Sequence, residues 1–295
     1  MNYKTFQLHF STPRVNRYYY AASSSKKKAI SLYKQNLLIA QAIYPVIGIF
    51  EVVLRNSIDA ALCKHFQDEN WIINQKDGFM SDSHLLFMGK QSQEFKRNDF
   101  LKREVLKAEQ KLKMKYLKTP SISITPGNII AEQSFSFWTN FFEAHHFKIL
   151  KGKPIQIFSD LPQGIGRKEI FQKLNAIRQF RNRINHNEPI CFVDNNFSYS
   201  EIQTIHQSIY ELLKYIDERL IDFVESIDNT EATFNHLRGS ILRINLSDQS
   251  RCDQTFGDQF FESIFQINRV AIKPSVKSFE SIFQINRVAI KPSVK

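Results

Sequence analysis

The sequence predicts an all-α fold: a helical bundle followed by an irregular, weakly structured C-terminal tail. Three observations lead there. Apolar residues recur at spacings of three and four over most of the first 226 positions, the repeat of helices with one buried face. The chain carries 26 Phe against 9 Gly and 9 Pro in 295 residues, a balance that suits packed helices better than a loop-rich or collagen-like chain. At 42% hydrophobic residues it can bury one large core or two modest ones.

Residues 1–25 read as an extended or irregular arm with Pro13, a Tyr18-Tyr19-Tyr20 run and Ser23-Ser24-Ser25. Those serines suit the cap of a helix starting near Lys26, whose apolar face is Ile30, Tyr33, Leu37, Ala40 and Tyr44. Pro45 reads as opening a second helix to about Phe66, apolar on most of its surface and therefore central. Its exceptions are Glu51, Arg55 and Asp59, one turn apart, which form either an ion-pair ladder or a support for guanidinium groups at a site. A loop near 71–78 leads to a long charged helix over roughly 81–117. After a Ser/Thr/Pro loop at 119–127, residues 128–146 read as a helix carrying Phe135, Phe137, Trp138, Phe141 and Phe142. That cluster is core if buried and a base-stacking surface if exposed. A loop over 151–166, a helix over 167–187 and a final amphipathic helix from Ile202 to Phe223 follow.

The expected organisation is an arm at 1–25, a helical domain at 26–226 and a tail at 227–295. Within the tail, residues 261–277 and 279–295 are the same seventeen-residue segment. Two units cannot stack into a core, so a solenoid is not expected. No chemistry is assigned to the tail.

A net charge of +11, from 40 basic and 29 acidic residues, suits a polyanionic partner, nucleic acid before an acidic membrane surface; a merely soluble basic protein has the same balance. The densest basic stretch, 90–118, includes Lys102, Arg103, Lys107 and Lys111. It is either a solvated face stitched by pairs such as Glu104 with Lys107 or Lys111, or, together with Arg183, a track for an RNA backbone. Cys63, Cys191 and Cys252 are odd in number and not spaced as pairs, so neither a disulfide framework nor a zinc site is expected and a reducing cytoplasm fits. Residues 1–10 lack the apolar core of a signal peptide. The most membrane-like stretch, 37–54, is interrupted by Gln41 and Pro45 and flanked by Glu51 and Arg55, so it reads as protein core, with no membrane partner.

The sharpest local feature is Arg181-Asn182-Arg183-Ile184-Asn185-His186. Ile170, Leu174 and Ile177 define an inward stripe whose next positions are 181 and 184. An always-charged guanidinium there asks for an anion or a second protein surface. His186, ahead of Pro189, falls in or near the last helical turn. Histidine moves protons near neutrality and arginine stabilises charge on phosphorus, which with the 2′-OH of RNA makes a metal-free, cofactor-free cleavage set. The two residues lie about 140° apart around a helix, so two copies of the helix across a two-fold axis serve better than one. As bare spacing Arg-x4-His is common, and a capping His186 with a salt-bridged Arg181 is the structural alternative.

Four segments together resemble the Abi-like family of bacterial abortive-infection proteins, within the HEPN superfamily. They are Ser11-Thr12-Pro13-Arg14 with Leu32-Tyr33-Lys34-Gln35-Asn36; Glu51-Val52-Val53-Leu54-Arg55-Asn56; Ala131-Glu132-Gln133-Ser134-Phe135-Ser136-Phe137-Trp138; and Arg181 through Ile190. The last is the most restrictive, and Asn187 departs from it where relatives often have a second histidine. The resemblance implies a HEPN-like bundle, dimerisation through the motif helices, and metal-independent RNA cleavage that leaves a 2′,3′-cyclic phosphate. It further implies a role in phage defence by halting host translation or growth. The expected setting is cytoplasmic and the expected substrate single-stranded or tRNA-like RNA, with an antitoxin or regulatory RNA as a further candidate partner that the sequence does not identify. By position, Arg181 and His186 are expected to be catalytic and Asn182 orienting, with Glu51, Arg55, Asn56 and Glu188 supporting. A non-catalytic module that binds RNA or a partner protein is the competing expectation.

Overall fold

A computed structural model describes residues 1–88, 94–117 and 123–247. The seventeen-residue repeat lies outside the described residues. The chain divides into two units, Met1–Phe234 and Asn235–Lys295, and the helical bundle with its candidate site belongs to the first.

Residues 1–25 are not an irregular arm. They form α1 (Tyr3–Phe10) and α2 (Thr12–Ala21), capped at the start by the Asn2 side chain and separated by Ser11 at a φ of 64°. Phe6, Val15, Tyr18 and Ala22 are buried with Ala29, Tyr33 and Phe192 in one cluster. Its rings meet edge to face, Phe6 and Tyr18 each 5.1 Å from Tyr33, and Tyr18 5.2 Å from Phe192. The aromatic residues are spaced for one helical face, and Pro13 falls in the first turn of α2, where a proline suits a helix.

The central element is α3 (Lys26–Phe66), begun by Ser25, whose hydroxyl accepts from the Lys28 N–H. The sequence suggests a break at Pro45; the helix runs straight through it. An internal proline costs about 3 kcal/mol. Burial of Ile39, Ile43, Val46, Ile47 and Phe50 on either side, each at most 1% exposed, outweighs that. By length and composition α3 could cross a bilayer. Here it buries a face from Ala29 to Leu62 among the protein's own helices.

α4 (Trp71–Asn74) follows, with the Trp71 indole donating to Asp59 at 2.8 Å. The expected helix over 81–117 is in fact a short antiparallel pair, β1 (Leu86–Met88) with β2 (Phe95–Arg97), and then α5 (Phe100–Tyr116). The helix expected over 128–146 is also divided, into α6 (Pro126–Glu132), α7 (Phe135–Thr139), a 3₁₀ turn (Asn140–Phe142) and α8 (Ala144–Ile149). One straight helix has a single inward face. Dividing it lets Phe135, Phe137, Trp138, Phe141 and Phe142 all be buried, at most 1% exposed. That settles the cluster as core.

After a 3₁₀ turn at Lys153–Ile157 comes α9 (Arg167–Asn185), then the hairpin β3 (Phe192–Val193) and β4 (Asn196–Phe197). α10 (Ser200–Ile216) ends at Asp217, whose extended backbone and contacts to Arg219 divide the expected final helix from α11 (Leu220–Glu225). Helix resumes beyond residue 227 as α12 (Thr230–Ser247). Its start is tied down by Asp228, which accepts from the Thr230 N–H. α9 packs between α3, α7 and α10, so the all-α class holds and the motif helix lies against the central one.

His146 on α8 is fully buried; its Nδ1 meets the Asn140 carbonyl at 3.1 Å, and its Nε2 has no hydrogen-bond partner among the described residues. Burial lowers its pKa from 6.5 to about 4 against the raising effect of the Asn140 contact. Between those values the unfolded chain binds the extra proton, so stability is complete above a pH of about 6.5 and declines toward pH 4. We expect the urea midpoint to fall over that window by the equivalent of roughly 3 kcal/mol or less, with a shallower slope in His146→Leu. Identical slopes for the two proteins would contradict this.

Candidate active site at the end of the motif helix

α9 begins at Gly166, whose N–H donates to the Glu169 carboxylate at 3.1 Å. Its buried stripe is Ile170, Leu174, Ile177 and Phe180. The sequence stripe steps by four from Ile177 to 181; the structure steps by three to Phe180. Arg181 therefore flanks the core instead of entering it, with its side chain 26% exposed. One guanidinium nitrogen lies 3.3 Å from a carboxylate oxygen of Glu51 on α3, itself 20% exposed. Burial pushes the Glu51 carboxyl above the ordinary glutamate range, with Arg181 and Arg55 pulling it back only in part.

Glu51, Arg55 and Asp59 do not form the ladder that their spacing suggests. Asp59 serves Trp71 and Cys63, and the Arg55 Nε donates to Asn56 at 3.3 Å. Only Glu51 meets the motif helix, so of the supporting residues Glu51 is brought directly to Arg181, with Arg55 acting on it electrostatically.

His186 is the C-cap of α9 and is exposed. Asn187 follows with a φ of 51°, a left-handed conformation that asparagine tolerates. The Asn187 N–H donates to the Ile184 carbonyl at 2.9 Å and the Glu188 N–H to the Arg183 carbonyl at 2.8 Å, the paired bonds of a Schellman ending. That backbone gives a physical reason for asparagine at 187. Asn182 is half-buried, and its carbonyl accepts from the His186 N–H at 3.0 Å. Both parts of the structural alternative are thus present: the histidine caps the helix and the arginine is in an ion pair.

Arg183 faces elsewhere, donating to Glu201 of α10 at 2.5 Å and to the Pro189 carbonyl at 2.5 Å. Four cations of α5 are engaged too: Lys102 with Asp77 and Ser81, Arg103 with Asp99, Lys107 with Glu104, and Lys111 with Glu132. These pairs place carboxylates along the basic stretch, and α5 packs on α6 and α7. Among the described residues, no three His, Cys, Asp or Glu side chains gather to hold a metal ion. Burial raises the Cys191 thiol well above its ordinary pKa, which leaves little thiolate there.

Two residues of the site escaped the sequence reading as site elements. Asn36, buried on α3, accepts with its Oδ1 from the backbone N–H of Ile190 at 2.8 Å and of Cys191 at 3.1 Å. Gln35 beside it accepts from the Tyr199 hydroxyl at 2.7 Å. Together they pin the chain that leaves α9 onto α3. The available signal was two adjacent amides in an otherwise apolar helical turn. From the other side, Arg17 of α2 lies 4.5 Å over the Phe192 ring and donates to the Asp194 carbonyl at 2.9 Å. The N-terminal segment and the motif's end are thereby one assembly.

Fold and site define an all-α protein that brings an acid-paired arginine and a helix-capping histidine to the end of one helix laid on a long central one. The chain belongs to the Abi-like protein family, with the match spanning residues 1–191. That membership points to involvement in abortive infection. No curated protein and no solved structure matches the chain.

Asn36→Ala is expected to cost roughly 2–4 kcal/mol, because it strands two buried backbone donors. Chemical denaturation measures it, and a loss under about 1 kcal/mol would mean that the loop after α9 is held in some other way.

Proposed function

We propose that this chain is a metal-independent endoribonuclease of a bacterial abortive-infection system, acting as a HEPN-type homodimer whose composite site draws on the motif helices of two copies. The observation that carries the reading is the pairing of half-buried Arg181 with Glu51, two turns or less from exposed His186 on the same helix end. A guanidinium held at the edge of the core by a carboxylate is oriented before any substrate arrives. A phosphate is the kind of anion that can exchange for that carboxylate.

In this reaction the RNA 2′-OH attacks the neighbouring phosphorus and loses its proton. The bond from phosphorus to the 5′ oxygen breaks, the leaving oxygen takes up a proton, and a 2′,3′-cyclic phosphate remains. His186 carries a proton in one of those two transfers, Arg181 bears the charge that builds on the phosphoryl oxygens, and Asn182 orients the phosphate. Two copies supply two histidines, one for each transfer. Glu51 is a positioning residue for Arg181, with Arg55, Asn56 and Glu188 in support. Lys102, Arg103, Lys107, Lys111 and Arg183 join as backbone contacts by exchanging carboxylates for phosphates, a salt-sensitive contribution. The setting is cytoplasmic, on RNA that is single-stranded or tRNA-like, without cofactor or membrane, and under the control of an antitoxin or regulatory RNA.

The second reading, a non-catalytic module that binds RNA or a partner protein, is favoured by the capping role of His186 and the closed ion pair of Arg181.

Purified protein incubated with total bacterial RNA in EDTA separates them. Wild type should cut and leave cyclic phosphate ends, and His186→Ala should be slower by about a hundredfold or more with unchanged circular dichroism. Arg181→Ala should also lose cleavage, with some loss of stability, because Glu51 is left half-buried without its partner. Dependence on magnesium, or full activity in His186→Ala, would overturn the mechanism. Binding without cleavage by wild type would establish the second reading.

A further inference from the structure

Beside the Glu51–Arg181 pair lies a groove of about 390 Å³ between α3 and the end of α9. Leu37, Gln41 and Tyr44 form its α3 wall, and Ile184, Asn187 and Glu188 form the other. On α3, Leu37, Gln41, Tyr44, Gly48 and Glu51 follow one another at spacings of four, three, four and three, so they share a single face. On α9, Arg181 and Ile184 are one turn apart, and Asn187 and Glu188 follow directly. The two elements run past each other in opposite directions, Glu51 meeting Arg181 and the turns ahead of Glu51 meeting the residues beyond Arg181. The groove therefore lies on the same strip as the ion pair, nearer the start of α3. The α3 face is open between them: a Cβ added at Gly48 would find nothing within 4 Å.

The chemistry of the lining is specific. Tyr44 is 46% exposed and Leu37 beside it 40%. A ring and an aliphatic wall make a platform for a planar group. The polar groups at the rim include the Glu188 carboxylate, with two acceptor oxygens. No ion pair engages the Glu188 carboxylate among the described residues, and an ionised carboxylate accepts hydrogen bonds only. Such a rim matches a ligand with adjacent donors. Among the four RNA bases, guanine alone presents two neighbouring donors, N1–H and N2–H₂, on its Watson–Crick edge.

We propose that this groove is the base-specificity site and receives an unpaired guanine next to the scissile phosphate. Tyr44 stacks on the ring, and the Glu188 carboxylate accepts from N1–H and N2–H₂. Unpaired bases are the ones that proteins read by stacking and Watson–Crick contacts. The assignment rests on the RNA-cleaving reading but makes its own demand on binding.

The test uses full-length His186→Ala, which should hold RNA without cutting it, and fluorescent oligouridylates with one central G, A or C. Fluorescence anisotropy should show the G oligonucleotide binding about tenfold tighter than the A or C forms. Glu188→Gln in that background should erase the preference, because the amide offers one acceptor and adds a donor. Tyr44→Ala should weaken all three ligands several-fold. In parallel, wild type should cut next to G in a random single-stranded pool, and whatever cleavage Glu188→Gln retains should lack that bias. Cleavage by wild type with no base preference in either assay would overturn the groove assignment and leave the nuclease standing. A Glu188-dependent preference for G in binding with no cleavage would uphold the groove and remove the nuclease. Conversion of a dimer to monomer by Tyr44→Ala with the G preference unchanged, read by light scattering, would put a second copy in the groove and overturn the assignment.

Discussion

α9 lies on α3 through an apolar seam fastened at two polar points, and the rest of the candidate site depends on that fastening. At one point Glu51 meets Arg181 at 3.3 Å; at the other, the Asn36 amide oxygen takes the N–H groups of Ile190 and Cys191. Apolar burial alone would let two smooth helices slide or rotate by a residue without much penalty. A buried amide that satisfies two backbone donors tolerates no such shift, because each donor left alone costs about 1–3 kcal/mol. The register of α9 on α3 is therefore set by hydrogen bonding, while its adhesion comes from Ile170, Leu174, Ile177 and Phe180.

The same fastening explains why a basic protein carries its one distinctive arginine in a half-buried place. Along α5, by contrast, the neighbours of Lys102, Arg103, Lys107 and Lys111 are acidic side chains near the surface. Exposed pairs of that kind contribute little to stability and exchange partners easily. In the Arg181 pair both side chains are half-buried, and the Glu51 carboxylate held close on α3 keeps the guanidinium oriented.

The N-terminal helices and the β3–β4 hairpin belong to this same arrangement. Tyr18 and Arg17 of α2 grip Phe192 and Asp194, immediately after the chain has crossed α3 at Asn36. The path from His186 to Phe197 is thus held on both sides. A helix ending with a left-handed Asn187 turns the chain sharply, and the groove beside Tyr44 exists because that turn is kept in place. Loops that carry chemistry need such scaffolds, since a mobile loop would lose the geometry that binding requires.

The helical class, the span of α9 and the cap at Ser25 were legible in the order of residues, which also singled out Arg181, Glu51 and His186, because periodicity and residue chemistry are local properties. It misplaced the continuity of α3 at Pro45, the number of pieces between 126 and 149, and the helices hidden in the first 25 residues. Those were decided by burial: whether a proline breaks a helix, or five aromatic rings need more than one face, depends on what surrounds them. The step from Ile177 to Phe180 in place of 181 was settled likewise, since three- and four-residue spacings are equivalent along a helix until a partner selects one. Only tertiary structure could bring Asn36 to Ile190 across more than 150 residues of chain, for no local rule pairs an amide with a backbone so remote.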